Sequence, residues 1–202
     1  MKATTVEIVG VGGQGALFVA GIIGNAAIED GLHVLMSEIH GMAQRGGVVS
    51  TVIRIGEEVH SPLSFSDDVD VLLGFEPVEV YRARGRLSKK TVVIMSTDRV
   101  VPFTVTAGLQ EYPSVEEVVE EIKSRIPNVI TLSSRELALK AGNALTQNVV
   151  MLGALSACGL LPIKRETLIE TLKKRVKRNY VDVNLRAFEL GEEMMRGCEI
   201  KR

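Results

Sequence analysis

Val6-Glu7-Ile8-Val9-Gly10-Val11-Gly12-Gly13-Gln14-Gly15 decides the fold. A β-rich run enters a glycine-dense turn. Residues 15–29 then carry small and apolar side chains nearly all round, the pattern of a buried helix. Gly10, Gly12 and Gly15 satisfy G-x-G-x-x-G between a strand and a helix. In that context glycines let the chain turn sharply and bring backbone amides close to a phosphate at a helix N-terminus. Gly12, Gly13, Gln14 and Gly15 are therefore candidate cofactor-binding positions. Glu38 ends the next predicted strand, 33–39, where a dinucleotide site places its ribose-binding acid. Taken alone, this half of the pattern suggests an NAD- or flavin-binding module.

Working outward, strands are predicted over 48–55, 69–75, 91–95, 100–106 and 129–132. Helices are predicted over 76–87, with Pro77 in the first turn, and over 115–125. Ser114 and Glu117 have the spacing of a capping box at the start of the second. From 133 onward the pattern is helical: 133–141, 146–160, 165–178 and 183–196. Strand–helix alternation followed by helices predicts a three-layer, Rossmann-like α/β/α sandwich with additional C-terminal helices. We read one domain, with a sheet core over 1–132 and a helical part over 133–202.

Composition narrows the function. The chain has 202 residues, with 24 Lys+Arg against 25 Asp+Glu, so generic nucleic-acid binding has no electrostatic basis. Aromatics are 4% of residues and Trp is absent, which argues against a surface built on stacked bases. Two cysteines, Cys158 and Cys198, are too few for a disulfide framework or a locally ligated iron–sulfur cluster, and Cys158 reads as buried. No leader and no membrane span is expected, and the location expected is cytoplasmic.

The segment Ser37-Glu38-Ile39-His40-Gly41-Met42-Ala43-Gln44-Arg45-Gly46-Gly47 conflicts with a simple dinucleotide site. It is dense in hydrogen-bonding side chains and glycines, and it falls at the carboxyl end of the sheet if the strand before it runs with the first. Active-site loops of open α/β sheets gather on that edge. With this loop, the glycine turn, Asn148-Val149-Val150-Met151-Leu152-Gly153-Ala154-Leu155 and Asn184-Leu185-Arg186-Ala187-Phe188-Glu189-Leu190-Gly191, the chain resembles the gamma-type domain of the 2-oxoacid:ferredoxin oxidoreductases. Within that family it resembles the small subunits of the indolepyruvate type. The His-Gly-Met-Ala-Gln-Arg-Gly-Gly loop is the specific element, and it departs from the loop of pyruvate-type domains.

The resemblance implies a subunit of an enzyme that oxidatively decarboxylates a 2-oxoacid, transfers the acyl group to coenzyme A and reduces ferredoxin. It implies that thiamine diphosphate and [4Fe–4S] clusters sit in a large alpha subunit, and that this chain is inactive alone. The catalytic candidates are then Arg45, His40 and Gln44. Arg45 offers a bidentate, permanently charged fork for a carboxylate or phosphate. His40 is a candidate for proton transfer and Gln44 for orienting a carbonyl. Each also has a plain structural alternative: a salt bridge, a loop contact or a loop-closing hydrogen bond. Glu38 reads better as a partner for Arg45 or loop amides than as a ribose ligand. Seven basic residues between Lys164 and Arg178 form an ordinary solvated face, or one that meets an acidic partner or the phosphates of coenzyme A. Asn148 and Asn184, poor helix formers in predicted helices, are expected to make structural hydrogen bonds. The competing readings are a stand-alone NAD(P)- or flavin-binding module, a gamma subunit for another 2-oxoacid, and a non-catalytic scaffold.

Overall fold

The computed structural model describes residues 3–41, 47–62, 68–198 and 200. Six strands form one sheet: β1 (Thr4–Val11), β2 (His33–His40), β3 (Val48–Gly56), β4 (Val71–Gly74), β5 (Val92–Ser96) and β6 (Asn128–Leu132), in the spatial order β2-β3-β1-β4-β5-β6. β1, β4, β5 and β6 are mutually parallel, whereas β3 pairs antiparallel with both β1 and β2. Two reversals restore direction, so β2 runs the same way as β1. Their carboxyl ends share one edge of the sheet without being neighbours.

This insertion of β3 corrects the dinucleotide reading. Glu38 pairs with Thr51, which pairs with Ile8. It therefore lies two strands from β1, roughly 10 Å across the sheet. Its register is within the sheet rather than past its edge, and it is exposed. An acid so placed does not reach a ribose held at the glycine turn.

The helices divide between the two faces. α1 (Ala16–Glu29), α5 (Ser134–Ala141), α6 (Gln147–Ala157), α7 (Arg165–Arg175) and α8 (Val181–Met194) build one apolar core with Val6, Ile8, Ile53, Leu73 and Ile94 of the sheet. α2 (Pro77–Ala83) and α4 (Val115–Lys123) cover Val9, Leu72, Val93 and Met95 on the other. Alternate side chains of β1, β4 and β5 thus feed opposite cores, the period-two rule that the sequence displays. Ser114 accepts from Glu117 N–H while Glu117 reaches back to Ser114 N–H, so the capping box is present.

The buried character of α1 has a specific cause. It packs on the sheet, and α7 covers its outer side, with Asp30 accepting from Lys164 N–H (2.7 Å) and Thr167 Oγ1 (2.7 Å). α6 in turn is covered by α8 through two glycines. A Cβ at Gly153 would overlap the Phe188 carbonyl, and one at Gly191 the Val150 carbonyl. Two of the four family-bearing segments are therefore halves of one close helix–helix contact.

One predicted strand is absent. Residues 100–106 are β-branched enough to read as an edge strand, but the chain forms a single helical turn, α3 (Phe103–Thr106). The Pro102 carbonyl accepts from both Val105 N–H and Thr106 N–H at 3.1 Å. Proline starts a helical turn at no cost in hydrogen bonds, since the amide it lacks has no partner there.

Candidate functional site

The glycine turn leaves β1 at the carboxyl edge and is held by its own side chain. Gln14 Oε1 accepts from Val11 N–H (2.9 Å), and Gln14 Nε2 donates to the Phe75 carbonyl at the end of β4 (2.8 Å). Gly10 leaves room for this clamp: a Cβ there would stand 2.8 Å from Gln14 Oε1 and 2.9 Å from Phe75 Cβ. Gly15 caps α1 in the left-handed region, φ 81°, with Asn148 of α6 directly beneath it. Gly12 N–H donates to the Gly47 carbonyl at 2.8 Å.

That last bond joins the two segments singled out from sequence. Gly47 is the far end of the β2–β3 connection, and Gly41 N–H closes its base on the Val48 carbonyl at 3.0 Å. His40 ends β2 by its backbone, in register with Val49. Gln44 and Arg45 lie outside the described residues. The structure thus brings the ends of the second loop against the glycine turn, and it engages the amide of Gly12 within the protein. The first-turn amides of α1 at Ala16, Leu17 and Phe18 have no intrahelical acceptor and face this edge. The candidate role of Gln14 changes accordingly: its side chain positions the turn instead of pointing to a ligand.

Beside the turn lies a crevice of about 180 Å³, between the carboxyl ends of β1, β4 and β5 and the start of α5 and α6. Gly13, Gln14, Phe75, Asp98, Arg99, Arg135 and Gln147 are among the residues lining it. Asp98 organises its floor. It accepts from Ser96 Oγ (2.8 Å), Ser133 Oγ (3.0 Å), Ser134 Oγ (2.9 Å) and Arg135 N–H (2.7 Å). Burial by itself raises this carboxyl, but the four hydrogen bonds outweigh it and hold Asp98 below the usual carboxylate range. Asp98 is a fastener between β5 and α5, with its oxygens engaged, and the exposed Arg99 and Arg135 stand at the mouth. Glu76, buried after β4, plays a similar part. It caps α2 through Val78 N–H (2.7 Å) and accepts from the Tyr112 hydroxyl, whose ionisation is pushed up by burial and by the Glu76 carboxylate.

A second groove, about 320 Å³, lies on the other side of Leu145, between Phe18, Asn148, Tyr180 and Asn184. Asn184 Nδ2 donates to the Tyr180 carbonyl (2.7 Å), the structural bond expected of it. Leu145, 85% exposed, is the ridge between the two hollows. Leu17, Val48, Val100 and Val101 are further exposed apolar side chains on this edge.

Sequence reasoning missed Asp98, Arg99, Arg135 and Glu76. The only local signals were Ser133 ahead of a helix and Glu76 before Pro77. Three of the seven basic residues in the run 164–178 meet acids within the chain. Arg165 forks onto Glu192 (2.7 and 2.8 Å), Lys173 meets Glu170 (2.8 Å) and Lys174 meets Glu29 (2.9 Å). Cys158 is buried as expected, its thiol pushed up to about 11 by desolvation. Among the described residues no group of three His, Cys, Asp or Glu is placed to hold a metal ion. Among them, too, no helix is long and apolar enough to cross a membrane.

Residues 5–194 match the family described as pyruvate ferredoxin/flavodoxin oxidoreductase. The chain belongs to that family. It is 42% identical over 186 residues to the indolepyruvate oxidoreductase subunit IorB of Methanothermobacter thermautotrophicus, covering 92% of this chain and 94% of that one. The keto/oxoacid ferredoxin oxidoreductase gamma subunit of Geobacter sulfurreducens superposes with a TM-score of 0.71 at 22% identity, covering 98% and 99%. The 2-oxoglutarate:ferredoxin oxidoreductase of Magnetococcus marinus, solved with 2-oxoglutarate, coenzyme A and succinyl-CoA bound, superposes with a TM-score of 0.77 at 20% identity. There the match covers all of this chain and 32% of the longer one. The resemblance read from the loops is shown, and with it the α/β class and an oxidoreductase subunit of the indolepyruvate type. The stand-alone dinucleotide module is not favoured.

Proposed function

We propose that this chain is the non-cofactor-bearing small subunit of a cytoplasmic complex that converts aryl pyruvates, indolepyruvate foremost, to the acyl-CoA with ferredoxin as acceptor. The observation that carries the reading is an unfinished crevice. Small-molecule sites usually enclose about 300–1,000 Å³. The hollow at the glycine turn is about 180 Å³, below that range, and is flanked by exposed apolar side chains. That is what a site looks like when a second chain completes it.

Under this reading thiamine diphosphate and [4Fe–4S] clusters would be held by the large alpha subunit, where they would supply the decarboxylation and electron-transfer chemistry. With two cysteines in all, one of them buried, this chain lacks the donors for such a cluster. Its own residues act on the other substrates. Arg99 and Arg135, with the first-turn amides of α1 near Gly13 and Gly15, hold a phosphate-bearing part of coenzyme A. Gln14 keeps the turn in shape. In the adjoining loop Arg45 pairs the 2-oxoacid carboxylate, Gln44 orients its carbonyl and His40 handles a proton.

The test is the complex co-produced with its large subunit and assayed with indolepyruvate under anoxic conditions. Replacing Arg99 and Arg135 together by Ala removes charge-assisted hydrogen bonds worth about 1.5–3 kcal/mol each. The KM for coenzyme A is expected to rise at least about tenfold while the KM for indolepyruvate holds. An unchanged KM for coenzyme A sinks the assignment of the crevice. No turnover by the wild-type complex with any aryl pyruvate sinks the substrate.

A further inference from the structure

The groove beside Leu145 has the room of a ligand site and a polar group with nothing to meet. It encloses about 320 Å³, inside the roughly 300–1,000 Å³ usual for small-molecule sites. Phe18, Leu145, Val176 and Tyr180 give it an aliphatic and aromatic lining. Among the described residues on its walls one is charged, Lys177, and it is exposed. Such a lining is no cradle for a phosphate or a carboxylate, which takes several fixed donors. Asn184 is different. It is 8% exposed, and its Nδ2 donates to the Tyr180 carbonyl at 2.7 Å. A carbonyl only accepts, so this bond fixes which way the amide lies and leaves Oδ1 as the other end. Among the described residues Oδ1 receives no hydrogen bond, yet it is not one of the sealed orphan atoms of the interior. It is an acceptor that opens on the groove, and a buried acceptor without a donor is costly.

The groove belongs to the same edge as the glycine turn. Asn148, which also lines it, lies beneath Gly15, and Gly12 is bonded to Gly47 at the end of the β2–β3 connection. Asn148 and Asn184 open two of the segments that set the chain apart in sequence, one on α6 and one on α8, and both line this one groove. Aromatic and aliphatic walls suit a flat ring, and a single buried acceptor asks that the ring carry one donor. We infer that the groove seats the aromatic ring of the 2-oxoacid, with Asn184 Oδ1 accepting from a ring N–H. A site built to meet a donor rejects the analogue that lacks it, so the contact selects an indole. The inference rests on the proposed function, which brings an aryl pyruvate to this edge. It gives this chain a specificity-determining contact: Asn184 reads the ring, while the adjoining loop is left to the carboxylate.

The experiment uses the complex of this chain with its large subunit under anoxic conditions. The probes are indolepyruvate, its benzothiophene isostere, in which sulfur replaces the ring N–H, and phenylpyruvate. For the wild type, kcat/KM is expected to be about tenfold lower for the isostere than for indolepyruvate. In Asn184→Leu, and in the smaller Asn184→Ala, the two bicyclic acids are expected to come within about twofold of each other. An Asn184 that only holds α8 together would lower all three acids alike and leave their ratios at the wild-type values, and that result overturns the inference. So does a wild-type complex that treats indolepyruvate and the isostere equally, a comparison that needs no variant to fold. No turnover of any aryl pyruvate by the wild-type complex overturns the proposed function and this contact with it, whereas turnover without discrimination between the two bicyclic acids overturns the contact alone.

Discussion

The two edges of the sheet are built to opposite rules. At the carboxyl edge the backbone is tightly fastened: a left-handed Gly15 above Asn148, a Gln14 clamp and an Asp98 with four donors. Exposed apolar side chains such as Leu145 and Val100 stand among these fixtures. At the amino edge, in a hollow between the turn that precedes β5 and the end of α4, the apolar side chains Leu87 and Ile126 are covered, and Lys89 and Lys90 face water. Exposed apolar side chains gathered on one edge mark where burial against a neighbour would gain most. The same six strands thus present one fastened, apolar-flanked end and one basic hollow at the other.

The sharpest way to break this comparison is a pair of glycine substitutions. Gly15→Val meets a positive φ and the Asn148 side chain at once, and is expected to cost about 3 kcal/mol. Gly85→Ala at the amino edge meets nothing within 4 Å and is expected to be neutral to slightly stabilising. Urea denaturation of both variants checks this. Equal costs would show that the carboxyl edge is not specially constrained.

Asp98→Ala should follow, at about 2 kcal/mol, because several donors are left without their acceptor. Its pH signature is specific. Asp98 has a folded pKa below its unfolded value, so its stabilisation is present above the ordinary carboxylate range and is lost as pH falls through the folded pKa. Asp98→Asn should therefore flatten the acid side of the stability profile. A profile as steep as wild type would deny Asp98 its fastening role.

Glu7 gives the smallest effect and the opposite sign. Burial pushes its carboxyl up, and Arg86 and Ser50 offset that only in part. With a folded pKa above the unfolded one, its contribution is fully present below the unfolded value and declines as pH rises through the folded value. Glu7→Gln should remove that decline, seen as a flatter profile between weakly acidic and neutral pH. A profile that steepens instead would mean that the pair with Arg86 dominates.

Much of the fold was legible because it is written in short-range pattern. The glycine turn, the buried α1 and the capping box at Ser114 each depend on residues within a few positions of one another. β3 between β1 and β2 was not legible, since strand order is decided by pairings tens of residues apart, and an apolar run looks alike in either direction. The stretch 100–106 misled because β-branched residues outweighed Pro102 in the reading, while in the chain a single proline sets the turn. At the site, the two loops were visible as glycine-rich punctuation. Asp98, Arg99 and Arg135 were not, because they come from separate strand ends and become neighbours only when β5 and β6 lie side by side.

The bond from Gly12 N–H to the Gly47 carbonyl has a thermodynamic consequence. Whatever occupies the glycine turn and whatever occupies the β2–β3 connection share it. If one ligand requires that bond broken and the other requires it made, their affinities oppose each other by the worth of one hydrogen bond, about 1 kcal/mol, or roughly fivefold. If both require it made, they favour each other by the same factor. Linkage is reciprocal, so the order in which two substrates bind leaves the size of the effect unchanged.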